Sequence, residues 1–310
     1  MPCAPQWAPR LALVKIGVIL PAAEVDGEGE TPPWRTTRSF ALAAEAHGLD
    51  SVWMFDHFFN RLPDGTTEGM HEAWTIVSAV LAVTERIEVG TLVMCSTFRS
   101  PGLLAKMAAT ADAVSGGRLI LGLGAGWHDP EYDAFGFPRD HRLARFEEYL
   151  RIVVPLLRGE TVSFRGQYQG VDRAVLAPPP PHHVPVLVAA DGPRMLRLAA
   201  RYADAWNTAW YGEPGPALRD ALAAFDAALA AEGGDRASVA RTVGMVVHDP
   251  EHPVDHDDEG PAFDGSVAEL ADAIDAYAAL GVDHLIVLLQ PLTERSLDRL
   301  ALAIARRDAR

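Results

Sequence analysis

Eight short, nearly all-apolar runs alternate with segments of helical period along this chain, and no other feature limits its fold as tightly. The runs cover 15–21, 50–56, 87–94, 118–124, 184–190, 205–209, 241–247 and 284–289. A strand that is apolar at almost every position is covered on both faces, which is the condition of a parallel sheet built from βα units. Between the runs, Leu143, Phe146, Leu150, Val153 and Leu157 step by three and four, as do Leu218, Leu222, Phe225 and Leu229. Shorter stripes pass through Trp74, Val77 and Leu81 and through Leu104, Met107, Ala108 and Ala111, and all predict core-facing helix surfaces. Thr31, Ser100, Ser266 and Thr293 stand where helix starts need capping, and Gly48, Gly159 and Gly281 where helices should stop.

Eight such units in 310 residues predict an α/β fold, a (β/α)8 TIM barrel, over an open doubly wound sheet. Two connections exceed ordinary length: 158–184, with four prolines at 178–181, and 248–265, rich in Asp, Glu and His. They predict insertions after strands four and seven, the first a β-ribbon over the barrel mouth and the second a flexible acidic loop. The expected organisation is an N-terminal extension over 1–14 and a single barrel domain over 15–310.

The net charge of −15 disfavours nucleic acid, whose phosphates need a basic face. No apolar run approaches the roughly 20 residues that span a bilayer, and 1–14 lacks a basic leader with a sustained apolar segment, so a cytoplasmic protein is predicted. Cys3 and Cys95 cannot build a disulfide framework. His182, His183, His248, His252 and His256 lie among prolines and acids without ligand spacing, so they predict solvated loop residues and no metal site.

A barrel keeps its chemistry just past the C-terminal ends of its strands. The second run, Asp50-Ser-Val-Trp-Met-Phe-Asp56, breaks into an acid followed by His57, which either starts a solvated loop or sets chemistry at a strand tip. Strand four ends in Gly122, Gly124, Ala125 and Gly126 before Trp127 and His128. These glycines either let a ligand lie flat on the backbone or allow close strand packing; a dinucleotide fingerprint is disfavoured because no ribose-binding acid follows a βαβ unit. Strand five runs through Ala190 and Asp191 into Gly192, Pro193 and Arg194, a helix start whose N–H groups suit an anion, or a capped turn with a solvated arginine. Glu72, Trp127, Trp206 and Trp210 either wall a flat apolar substrate or serve as a helix cap and core.

In order along nearly the whole chain stand Ser51-Val-Trp-Met-Phe-Asp-His57, Thr84-Glu-Arg-Ile-Glu-Val-Gly-Thr91, Thr97-Phe-Arg-Ser-Pro101, Ser115-Gly-Gly-Arg118, Leu121-Gly-Leu-Gly-Ala-Gly-Trp127 with Glu131, Gly136-Phe-Pro138 and Ala203-Asp-Ala-Trp-Asn207. This series resembles the luciferase-like flavin and deazaflavin oxidoreductases, a family of TIM barrels. The Asp56-His57 pair and the Thr97-Phe-Arg-Ser-Pro101 run look most like members that use the deazaflavin coenzyme F420 rather than FMN. The resemblance implies a bulge at Leu92 and Val93, next to Met94, often with a non-proline cis peptide, that supports the central ring of the coenzyme. It also implies that Asp56 contacts the ring edge, that Gly124, Ala125, Gly126 and Trp127 line the coenzyme, and that the backbone of Ala190, Asp191 and Gly192 holds its phosphate. His57 becomes the catalytic proton donor or acceptor. Sugar-phosphate dehydrogenases of the family carry glutamate where this chain has Trp127, which puts that substrate class in doubt. The expected function is hydride transfer between F420 and a small organic substrate by a homodimer. Alternatives of the same fold are a reduced-FMN monooxygenase and a noncatalytic flavin-binding barrel.

Overall fold

The computed structural model describes residues 14–24, 30–252 and 261–309; the expected extension, Val14 apart, and His256 lie outside them. The chain lays down β1 (Lys15–Ile19), α1 (Trp34–Ala46), β2 (Ser51–Met54), a hairpin of β3 (Phe59–Arg61) and β4 (Thr67–Gly69), α2 (Ala73–Val83), and β5 (Glu88–Thr91) continued by β6 (Met94–Cys95). There follow α3 (Pro101–Ser115), β7 (Leu119–Gly124), α4 (Asp129–Phe135), α5 (Arg142–Leu157), a ribbon of β8 (Val162–Arg165) and β9 (Gly170–Ala174), and β10 (Val186–Ala189). The last units are α6 (Gly192–Tyr202), β11 (Ala205–Tyr211), α7 (Pro216–Ala231), β12 (Ala240–His248), α8 (Val267–Ala279), β13 (His284–Gln290) and α9 (Glu294–Asp308).

All eight apolar runs are strands of one parallel barrel, in which β10 pairs with both β7 and β11 and β13 returns to β1. Their interior is packed, with Trp53 at its base: Gly17 and Gly90 on the two neighbouring strands lack the Cβ atoms that would meet its indole. The α5 stripe is buried from Phe146 through Leu150 and Val153 to Leu157, and each such side chain contributes about 1.5–3 kcal/mol. Ser266 and Glu269 close a reciprocal capping box on α8, and Thr293 accepts from the Ser296 amide at the start of α9. Helix α1 begins later than Thr31 predicts, with Pro33 as its cap. A residue before proline is pushed out of the helical region, so Pro32 cannot start a helix.

The ribbon predicted over the mouth stands instead along the outside of α5. Its turn is held by Glu148, whose carboxylate accepts from the amides of Gln167, Tyr168 and Gln169 at 2.8 Å, and Arg145 covers the Tyr168 ring. Of the loop after β12, residues 253–260 lie outside the described ones. Among the described residues no helix is long and apolar enough to cross a membrane.

Candidate functional site

The strand ends open into a cavity of about 1310 Å³. One wall is the bulge between β5 and β6, where the Leu92–Val93 peptide is cis, as the family resemblance implies. The bulge leans on β7. A Cβ at Gly122 would strike the Thr91 carbonyl and one at Gly124 the Val93 side chain, so close strand packing requires both glycines. Gly126 has φ +79°, and a Cβ there would meet the Tyr132 hydroxyl and Cys95 sulfur. Packing strips the backbone, and Gly124, Ala125 and Gly126 are left as bare cavity wall.

Asp56 is buried and its two oxygens accept from the Cys95 amide at 2.8 Å and from Arg99 at 2.8 and 3.1 Å. Burial pushes its carboxyl up, against the pull of Arg99, while the two carboxylates beside it raise the guanidinium. The second of those is Glu72, which also caps α2 through the Trp74 and Thr75 amides. Asp56-Arg99-Glu72 is therefore a closed clasp that ties the end of β2 to the chain after β6. Asp56 touches the cavity; Glu72 does not line it.

His57 is held differently. Its Nδ1 lies 2.8 Å from Glu131 on α4, a carboxylate only 1% exposed that also accepts from the Phe58 and Phe59 amides. A carboxylate only accepts, so Nδ1 donates and Nε2 is left as the exchangeable position of a ring that lines the cavity. The Phe58 ring packs on Phe98 and Phe135, both 4.6 Å away, and anchors the segment that follows His57. Trp127 stands edge-on to His57 at 5.4 Å, and although it lines the cavity it is 67% exposed. Behind it, burial pushes the His128 ring down, and its Nε2 accepts from the Arg61 amide at 3.1 Å.

Asp56, His57, Leu92, Val93, Gly124, Ala125, Gly126 and Trp127 thus share one cavity with Ala190, Asp191 and Trp210. Met94, Gly192, Trp206 and Glu72 are absent from its wall. Met94 is core. Trp206 points outward: its indole stacks on Phe225 at 4.3 Å, while Asn207, one residue on, faces the cavity. Arg194 pairs with Glu147 at 3.0 Å, and the α6 cap, Asp191, makes no side-chain hydrogen bond to its helix. Burial raises the Asp191 carboxyl. Three features had no role in the sequence reading: Glu131 as the partner of His57, Asn60 and Glu68 on the hairpin, and the polar rim of Asp249, His252 and Arg295. Only the hairpin had a local signal, the Pro63-Asp64-Gly65 turn, in which Gly65 has φ +90°.

The model of the luciferase-like monooxygenase family matches residues 14–251. An F420-dependent glucose-6-phosphate dehydrogenase of Nakamurella multipartita is 36% identical over 192 residues, which is 59% of this chain and 56% of the relative. The enzyme of the same name from Microbacterium testaceum is 34% identical over 221 residues, 70% of this chain and 64% of its own length. The chain spans about half to just under two thirds of the curated relatives it matches. Among solved structures, an F420-dependent secondary alcohol dehydrogenase in complex with an F420-acetone adduct is similar at TM-score 0.80 and 20% identity, over 95% of this chain and 99% of that one. At that identity the likeness bears on the fold alone.

Proposed function

The chain belongs to the luciferase-like monooxygenase family, and within it we propose an oxidoreductase that moves a hydride between coenzyme F420 and a small organic substrate. The observation that carries this reading is the His57-Glu131 pair beside a wall of bare backbone in one large cavity. The names of the curated relatives support F420 as the coenzyme. The residues fit the group: Gly124, Ala125, Gly126 and Ala190 offer little side chain to a ring system, the Leu92–Val93 bulge packed beside them a further support, and the start of α6, where the cap makes no side-chain hydrogen bond, an anion seat. A site of this size exceeds the usual range of about 300–1,000 Å³ for one ligand and leaves room for a second reactant.

When bound, F420 supplies the hydride-carrying centre. The chain's own part is the proton. His57 Nε2 takes it from a substrate hydroxyl or returns it to a carbonyl oxygen, and Glu131 fixes the ring and balances the imidazolium. Trp127 packs edge-on against the imidazole, and the Asp56-Arg99 clasp holds the bulge through the Cys95 amide. The reading extends to a cytoplasmic homodimer, tested by sedimentation at twice 33.4 kDa.

The test mixes the protein with F420 and a panel of secondary alcohols and follows loss of F420 absorbance. Turnover that disappears in His57→Asn is expected. F420 left unchanged across the panel, with oxygen uptake supported by reduced FMN, would overturn the proposal in favour of a monooxygenase.

A further inference from the structure

The charge of the cavity limits its second reactant more than its shape does. Five acidic residues line the cavity, Asp56, Glu68, Glu131, Asp191 and Asp249, against one arginine, Arg295, and two histidines, His57 and His252, among the described residues; the side chains of Asp56, Glu131 and Asp249 are themselves buried. The two internal stretches outside the description, 25–29 and 253–260, contain no lysine or arginine in the sequence. Asp56 and Glu131 are answered by Arg99 and His57. Arg295 is shared between Asp249, at 3.5 Å, and Glu251. Glu68 is met by a neutral donor, the Asn60 amide at 3.0 Å.

One feature beside the wall suits an anion, the start of α6 just past Asp191, and on the reading above the coenzyme phosphate takes it. A second anion would meet Arg295, already committed to two carboxylates, and His252 beside it. The rest of the lining is uncharged: Phe55, Met70, Trp127, Trp210 and Leu289 are apolar, and Asn207, Thr208 and Gln290 are neutral polar groups. Over this space stand Asn60 and Glu68, directly paired across the β3–β4 hairpin. The hairpin is fastened on both sides: the Arg61 amide donates to His128 at 3.1 Å, and the Gly69 amide to Glu24 at 2.6 Å. The hairpin thus places Glu68, bonded to Asn60, in the same cavity as His57.

We propose that the substrate is an uncharged, mainly apolar molecule bearing a hydroxyl or the corresponding carbonyl, that Glu68 and Asn60 select it, and that sugar phosphates and other anions are excluded. The inference rests on the coenzyme reading for the occupied anion seat. It separates this chain from the curated relatives, whose names give glucose 6-phosphate, an anion, as substrate. Glu68 acts twice: it accepts from a hydroxyl of the substrate, and it repels a phosphate that would have to share a poorly screened space with it.

The experiment titrates the F420-loaded protein calorimetrically with two molecules of one skeleton, cyclohexylmethanol and cyclohexylmethyl phosphate. The alcohol is expected to bind more than about ten-fold tighter, since a phosphate would be repelled by Glu68 in the same cavity. Glu68→Gln narrows that gap and Glu68→Lys narrows it further or inverts it, with thermal melting run on each variant to confirm folding. Phosphate binding as tight as the alcohol, a gap unmoved in both variants, or no binding of either molecule overturns the inference. Quenching of F420 fluorescence is read first. F420 that binds without any gap strikes this inference alone, whereas F420 that fails to bind strikes the coenzyme reading. In that second case phosphate affinity must still rise through the Glu68→Gln and Glu68→Lys series on the unloaded protein, and a flat series overturns the inference.

Discussion

Two histidines sit at opposite ends of the barrel and are held in opposite ways. At the base, His284 is sealed: Trp53 donates to the Ser51 hydroxyl at 2.6 Å, and that hydroxyl lies 2.8 Å from His284 Nε2. A hydroxyl that accepts from the indole can still give its proton to Nε2 or accept from it, so this partner is a neutral one that offers an imidazolium no countercharge. Burial drives the His284 pKa well down. At the mouth, His57 has a carboxylate on Nδ1 and a cavity on its other side. Burial with a hydroxyl partner makes a histidine part of the core. A carboxylate partner and one open nitrogen make it able to carry a proton, so the partner decides the role.

The largest expected effect falls on activity at the mouth. His57→Asn should lower kcat about 10²–10⁴-fold, roughly 3–5 kcal/mol of barrier, and leave the melting temperature near that of the wild type. His284→Ala should do the reverse: about 3–4 kcal/mol of stability lost in urea unfolding, with kcat kept within about two-fold. If both variants lose activity and stability together, the division between base and mouth is broken.

The clasp beside His57 tests whether the mouth also needs closed interactions. Arg99→Met strands the buried Asp56 carboxylate and should cost about 3–5 kcal/mol in urea unfolding. Glu131→Gln keeps the shape but loses the charge behind His57. A fall of about ten- to hundred-fold in kcat with little change in substrate KM is expected, by analogy with outer partners of histidine ligands.

The smallest effect sharpens the base. His284 is depressed in the folded chain, so between its folded pKa and the unfolded value near about 6.5 the unfolded chain binds the extra proton. Stability is then full above about pH 6.5 and declines below it by up to about 1.4 kcal/mol per pH unit. Urea midpoints measured from pH 7.5 down to 5 should show that slope, and His284→Leu should reduce it.

The barrel was legible because parallel strands covered on both faces leave a continuous apolar run, and all eight runs lie in strands. The Asp56-His57 break was legible for the same reason, as polarity with no use in a core. The parity of β11 was not: an apolar run does not say which alternate residue points inward, and Trp206 turned out while Asn207 turned in. Nor was the pairing of His57 with Glu131, 74 residues apart, since sequence spacing carries no trace of a contact made only by barrel closure. The glycines of β7 were read as open between a ligand face and strand packing, and the Thr91 and Val93 contacts account for packing at Gly122 and Gly124.

The mouth is proposed to be a deazaflavin site worked by one histidine. Fluorescence titration with F420, run beside FMN on wild type and His57→Asn, tests it most directly. Saturable quenching by F420 in both proteins, with affinities within about three-fold and FMN no competitor, is the predicted result. Tight FMN binding with none of F420 would contradict it.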